Sequence, residues 1–311
     1  MAQEICHLVC CVDNNYVPHC GVMLTSLLEN NKDVRIRVHV LDNALTEECR
    51  EALRGIVERK YGQELAFYPL ASDWSASFPA TCSYVSLTVY SKLFIASMLP
   101  AEVKKVLYLD CDIIVLKSLH ELWHCDLSGK AMAAVRDAHR RLEDDCRRLG
   151  IDCQTEGYYN AGVMLFNLDY LRSMNFLEKS LDFVSKHASR LPYHDQDVLN
   201  GVLHGHILSL PLRYNLHDHL FHRKRYMSRE EIRLADREMR PKHRVIIHFS
   251  SRRKPWSTRC LHPLRKSYFY YLDMTEWRGR RPRDTFKEWC WRWNRRISGW
   301  LHGVNGYRRV R

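Results

Sequence analysis

The front of the chain alternates short apolar, β-rich runs with segments patterned as helices. HLVCCVD (7–13) reads as a strand, VPHCGVMLTSLLEN (17–30) as a helix, RIRVHVL (35–41) as a strand, TEECREALRGIVERKYG (46–62) as a helix and ELAFYPL (64–70) as a strand. This βαβαβ rhythm predicts an α/β domain with a largely parallel, helix-covered sheet. Residues 83–98 read as a loop and helix, and VKKVLYL (103–109) as a strand running straight into Asp110. In open sheets of this kind ligands sit beyond the carboxyl ends of strands. Two places qualify by position: Asp13-Asn14-Asn15 after the first strand, and Asp110-Cys111-Asp112 after the later one. No Gly-x-Gly-x-x-Gly follows the first strand and there is no P-loop, so the usual dinucleotide and NTPase fingerprints are absent.

Composition narrows the class. The 311 residues are 46% apolar and 27% charged, which suits one large domain, with or without an appendage, and excludes intrinsic disorder. No run approaches the roughly 18 consecutive apolar residues of a spanning helix. MAQEICHLVC lacks the basic start and apolar stretch of a signal peptide, so the reading is a protein neither integral nor exported. Twelve cysteines without a C-x-x-C or a regular spacing predict reduced thiols, most of them small buried hydrophobes, and argue against a zinc site. The net charge of +12 hides a division: residues 1–222 carry 22 basic and 28 acidic side chains, whereas 223–311 carry 26 and 8. Such a basic C-terminal part meets something anionic, whether nucleic acid, membrane lipid or a phosphorylated substrate.

Candidate chemistry gathers at strand ends. Asp110 and Asp112 lie inside VLYLDCDIIVL, where two carboxylates are costly unless a cation or hydrogen-bond donors compensate. Two carboxylates at i and i+2 can hold a hard divalent ion and leave positions for phosphate oxygens. About one D-x-D is expected by chance in such a chain, and a pair of capping or turn aspartates is the alternative. Asn160 stands at a strand mouth before VMLFNL, either bonding a ligand hydroxyl or serving as a turn asparagine beside Gly162. Asp195, in HDQDVLN, reads in isolation as a helix N-cap. VIIHF (245–249) ends a strand at His248, whose imidazole can complete an Asp/Asp/His set, and the basic loop SSRRKPW can neutralise phosphates.

Taken in order, VDNNY, RVHVLDNALTEECR, VYSKLFIASMLP, KVLYLDCDIIVLKSLHELWHCDL, YYNAGVMLFNL, HDQDVLNG and HFSSRRKPW resemble the retaining glycosyltransferases of family 8, in particular the bacterial lipooligosaccharide and lipopolysaccharide α-galactosyltransferase type. The resemblance covers nearly the whole chain. It implies a GT-A fold, a UDP-sugar donor (galactose first, glucose next), a glycan or glycolipid acceptor, and Mn²⁺ or Mg²⁺ held by Asp110, Asp112 and His248. It also implies that Asp13 and Asn15 bind the uridine end and Lys254 the diphosphate. Asn160 and Asp195 would hydrogen-bond the donor sugar, Asp137 would line the sugar and acceptor region, and Gln196 would lie beneath the anomeric carbon. Lys92 stands where relatives carry Arg, turning a bidentate contact into a point charge. Ser251 and Arg253 replace a Gly and a small residue in the phosphate loop. Retention arises by double displacement through a carboxylate or by front-face attack. A neutral Gln196 favours front-face attack, with Asp195 the fallback nucleophile.

The tail carries separate information. Over 284–302, Phe286, Trp289, Trp293, Ile297, Trp300 and Leu301 share one helical face, and Lys287, Arg292, Arg295 and Arg296 the other. A GT-A domain over 1–277 is therefore expected to carry a basic, Trp-rich membrane-associating tail over 278–311. That tail would place the protein peripherally on the inner face of the cytoplasmic membrane. The alternative is a helix docked on the domain. Two other classes compete: a haloacid-dehalogenase-type phosphatase with Asp144-Asp145 as its later metal pair, and a nonenzymatic nucleic-acid-binding protein. The first expects its D-x-D near the start of the domain, and the second a basic face rather than one basic tail, so no nucleic-acid partner is expected.

Overall fold

The computed structural model describes residues 4–70, 90–138, 142–187, 190–221, 228–283, 285–288, 290 and 293–294. Strands β1 (Ile5–Asp13), β2 (Arg35–Asn43), β3 (Glu64–Pro69), β4 (Lys105–Leu109), β6 (Met132–Arg136), β7 (Tyr159–Asn167) and β8 (Ile207–Ser209) form a seven-stranded sheet in the order β3-β2-β1-β4-β7-β6-β8. β5 (Ile113–Val115), β9 (Leu216–His217) and β10 (Ile246–His248) form a second sheet in the order β5-β10-β9. The first four strands of the large sheet are mutually parallel as expected, and β7 runs antiparallel to both β4 and β6.

Both faces of the large sheet are covered, which is why β1 reads as an unbroken apolar run. Leu8, Cys10 and Val12 face the helix Val17–Glu29, while Val9 and Cys11 face a second core shared with the helices Phe176–His187 and Asp195–Leu203. Pro18 starts the first helix, where a missing N–H costs nothing. Thr46 caps the helix Glu47–Arg54, which passes into a π turn at Gly55–Lys60 where a single helix was expected.

The small sheet positions the site. β4 belongs to the large sheet and β5 to the small one, so Asp110-Cys111-Asp112 is the three-residue passage between them. Buried Ser26 anchors the far side of that passage: its Oγ accepts the Val115 N–H at 2.9 Å and donates to the Met23 carbonyl at 2.7 Å.

Two expectations need correction or restriction. Cys146 and Cys153 are joined in a disulfide, their Cα atoms 5.5 Å apart, because the helix Leu142–Leu149 and the following loop fold back on one another. The other nine described cysteines are free, and most are buried. Much of the segment expected to form the tail helix lies outside the described residues, including Trp289, Arg292, Arg295, Arg296, Ile297, Trp300 and Leu301. Its start touches the domain, with Thr258 Oγ donating to Glu288 Oε1 at 2.7 Å, and Trp277 is buried beside Gly21. No helix among the described residues is long and apolar enough to cross a membrane.

Ser26→Ala leaves the Val115 N–H buried without its acceptor. A loss of about 1–3 kcal/mol is expected, read as a lower urea midpoint with an unchanged m-value.

Candidate active site

A cleft of about 360 Å³ opens at the carboxyl ends of β1 and β4, lined by Asp13, Tyr16, Lys92, Tyr108, Asp110, Asp112 and Asp195 among others. Strand pairing builds its floor. His248 stands opposite Ile113 in the β5–β10 ladder, the Phe249 N–H donates to the Asp112 carbonyl at 3.0 Å, and the Asp110 N–H donates to the Gly162 carbonyl at 3.0 Å. These bonds bring His248 Nε2 to 3.2 Å from Asp112 Oδ1 and 3.7 Å from Asp110 Oδ2. One ligand atom from each of Asp110, Asp112 and His248 lies within 4.8 Å of the others. Asp112 Oδ1 is buried and makes no hydrogen bond among the described residues. A carboxylate oxygen in that position fits a divalent cation, for which two carboxylates and an imidazole are a suitable donor set.

The His248 ring lies flat over Gly162, where an added Cβ would come 2.2 Å from its Cε1. Behind it runs a chain of hydrogen bonds whose polarity can be worked out. The Gly162 backbone N–H, which can only donate, bonds Asn160 Oδ1 at 3.0 Å. The Asn215 group 2.8 Å from that oxygen is therefore its NH₂, which turns Asn215 Oδ1 toward His248 Nδ1 at 3.0 Å. Nδ1 must carry a proton, and Nε2 is the nitrogen offered to the two aspartates.

Charge pairing shapes the rest of the cleft. Lys92 is buried, with Nζ 2.6 Å from Asp195, 3.2 Å from Asp110 and 3.0 Å from the Ala161 carbonyl. Burial alone would lower its pKa, but Asp110 and Asp195 outweigh that and hold it raised and charged. Burial raises the pKa of Asp195, with Lys92 opposing. At Asp112 burial also pushes upward, yet the Lys254 ammonium holds its carboxyl far below the usual range. Lys254 Nζ sits 2.5 Å from Asp112 Oδ2 and 2.8 Å from the Phe249 carbonyl.

Asp195 is not the N-cap that its local sequence suggested. His194 occupies that position with a backbone φ of 47°, and Asp195 is the first helical residue, its side chain spent on Lys92. Asn160 is likewise no turn residue: it lies in β7, buried, donating to Asp137 Oδ2 at 3.2 Å. Gln196 donates to the same oxygen at 3.1 Å and accepts from the Ala161 N–H at 3.1 Å. Asp137, Asn160 and Gln196 are thus one bonded set. Asp13 accepts from the Tyr16 N–H, whereas Asn15 is exposed and does not line the cleft. Ser251 holds its loop, its N–H donating to Asp218 Oδ2 at 2.9 Å.

Asn215, His217, Asp218 and His219 were not singled out from the sequence, although NLHDH, a dense polar run before an apolar pair, was the available signal. Asp197 was missed too. Its carboxylate accepts from Arg148, Tyr158 and the Tyr193 N–H and so anchors the start of the Asp195–Leu203 helix. Asp144 and Asp145 pair with Arg147 and Arg148 on their own helix and do not line the cleft, which removes the metal pair of the phosphatase reading.

The pattern of glycosyl transferase family 8 matches residues 7–260. The chain belongs to that family. General stress protein A of Bacillus subtilis (strain 168) is 30% identical over 281 residues, 88% of this chain and 96% of the relative. A lipopolysaccharide 1,2-glucosyltransferase of Escherichia coli (strain K12) is 25% identical, covering 88% of this chain and 79% of that protein. The crystal structure of the galactosyltransferase LgtC with donor and acceptor sugar analogues superposes with a TM-score of 0.75 at 26% identity, over 91% of this chain and 99% of the other. This family 8 glycosyltransferase accordingly has the GT-A fold.

Gly162→Ala tests the packing of the ring. The methyl group must push the His248 imidazole away from Asp110 and Asp112, so divalent-cation affinity is expected to fall ~10–100-fold, measured by Mn²⁺ titration, with the circular dichroism spectrum unchanged.

Proposed function

We propose that this glycosyltransferase moves a hexose, galactose first and glucose next, from a UDP-sugar to a glycan or glycolipid acceptor of the lipopolysaccharide or lipooligosaccharide class, with retention of configuration. The observation that carries the reading is the Asp110, Asp112 and His248 set with its unsatisfied Asp112 oxygen, at the head of a cleft beyond the strand ends. Those three residues would hold Mn²⁺ or Mg²⁺, which supplies positive charge to a departing diphosphate. Relatives named as glucosyltransferase and galactosyltransferase support the hexose class, and the first also supports a lipopolysaccharide acceptor.

The remaining roles are those that the family resemblance implies. Asp13, at the end of β1, meets the uridine end, and Asn15, outside the cleft lining, would join it as the donor binds. Lys254 turns from Asp112 to the diphosphate, with Ser251 in the loop that shapes its approach. Lys92 keeps Asp195 ionised and aligned for the donor hydroxyls, and Asp137 with Asn160 borders the sugar. Gln196 is clamped at both ends of its amide, which presents a neutral carbonyl beside the anomeric carbon as positive charge develops there. Nucleophilic attack by Asp195 would first have to break its ion pair with buried Lys92, so front-face attack is the route we favour, with the leaving phosphate taking the acceptor proton.

The domain of residues 1–277 and the tail 278–311 divide the work in this reading. The tail attaches the enzyme to anionic lipid at the inner face of the cytoplasmic membrane, where a glycolipid acceptor is presented. The basic excess serves phosphate and lipid rather than nucleic acid.

Incubating the enzyme with UDP-galactose or UDP-glucose, Mn²⁺ and a lipooligosaccharide core acceptor should give an α-linked product by NMR, and Asp112→Asn should lower turnover at least ~100-fold. Full activity in EDTA, or a β-linked product, would overturn the metal assignment or the retaining assignment respectively. Removing 278–311 should release the enzyme from anionic vesicles in sedimentation while turnover on a soluble acceptor survives. Undiminished sedimentation would make the tail a docked structural element instead.

A further inference from the structure

A second cluster of ligating side chains adjoins Asn160 and Gln196, to which its carboxylate is bonded. Asp137 follows β6, His217 ends β9, and His219 sits in the turn of helix Asp218–Phe221; one ligand atom from each lies within 4.8 Å of the others. His219 Nδ1 is 3.4 Å from Asp137 Oδ1, and His217 Nδ1 is 4.0 Å from the same oxygen. The carboxylate divides its two oxygens: Oδ2 holds Asn160 and Gln196, and Oδ1 accepts the Ala138 N–H at 2.7 Å and keeps its other side toward the imidazoles. His217 is fully buried, and among the described residues neither ring nitrogen makes a hydrogen bond of good geometry, the Arg136 backbone being only a weak partner. A buried imidazole so weakly satisfied, beside a carboxylate, keeps a lone pair that could take a further partner.

We propose that Asp137, His217 and His219 form a zinc-binding site distinct from the Asp110, Asp112 and His248 set, and that zinc bound there obstructs the sugar subsite. The two donor sets differ in softness. Two carboxylates with one imidazole suit Mg²⁺ or Mn²⁺, whereas two imidazoles with one carboxylate suit Zn²⁺, which Mg²⁺ does not displace from nitrogen ligands. Zinc bonds of about 2.0–2.2 Å in a tetrahedron place ligand atoms roughly 3.3–3.6 Å apart. The His219 to Asp137 pair already has that spacing, and His217 must close by about half an ångström. His219 is the half-exposed member, so a cation can enter past it and keep a fourth position for solvent. Binding at Oδ1 draws charge from the carboxylate that clamps Gln196 and puts a cation where a sugar would lie.

The binding half of this proposal stands apart from the transferase reading, and the obstructive half rests on it. The full-length enzyme, with the first site filled by excess Mg²⁺ and UDP, is dialysed against Zn²⁺ and its bound zinc counted. Wild type should hold one more zinc equivalent than His219→Ala, whose change at a half-exposed position leaves the fold in place, and His217→Gln should lose the same equivalent. Equal zinc content and affinity in wild type and His219→Ala would overturn the site. Zinc that slows UDP-sugar hydrolysis at least tenfold in wild type, but not in His219→Ala relative to its own zinc-free rate, supports the obstruction. Zinc bound without any effect on that rate would overturn the obstruction.

Discussion

The N–H of Gly162 decides the direction of every hydrogen bond behind the candidate cation site. Because it can only donate, Asn160 must present its oxygen, Asn215 its nitrogen to that oxygen, and His248 its protonated Nδ1 to Asn215. The same glycine, by lacking a side chain, makes room for the imidazole it orients. Buried amides are expensive when a partner is missing, about 1–3 kcal/mol for each unsatisfied group, so a chain in which every link is satisfied holds one arrangement against its alternatives. From Asn160 the chain continues through Asp137, which couples the candidate cation site to Gln196 by side-chain bonds alone.

The second constraint is topological. The chain leaves the large sheet at Leu109 and enters the small one at Ile113, so the aspartates occupy a passage whose ends are both fixed by strand pairing. Three residues cannot wander between two sheets, and both carboxylates face the same cleft as a result. Positive charge then balances them from two directions, Lys92 from the helical side and Lys254 from the loop after β10. Both ammonium groups are thus held beside the carboxylates by the fold itself, so the charges of the cleft are preorganised.

Much of this was legible in the chain itself. The apolar runs of β1 and β4, the aspartates beyond Leu109 and the histidine closing VIIHF mark strand ends by composition, and the resemblance to family 8 joined them into one site. The direction of β7 was not legible, since a buried antiparallel strand carries the same apolar run as a parallel one. Nor was Asn160 as a strand residue, because beside a glycine it looks like a turn until the ladder with β6 and β4 is seen. Asn215 acts only through partners 55 and 33 residues away, and no local pattern encodes that. The same holds for Cys146 and Cys153, whose spacing matches no motif, and for Asp195, which local sequence assigns to a cap and distant Lys92 claims instead.

The protonation of the His248 ring tests the arrangement most directly. With ¹⁵N-labelled histidine in the Mg²⁺- and UDP-loaded enzyme, the ring should carry its proton on Nδ1, hydrogen-bonded to Asn215, and Nε2 should be bare. A proton found on Nε2 in that loaded state, with Nδ1 bare, would contradict it, because the ring would then have no lone pair to turn toward Asp110 and Asp112.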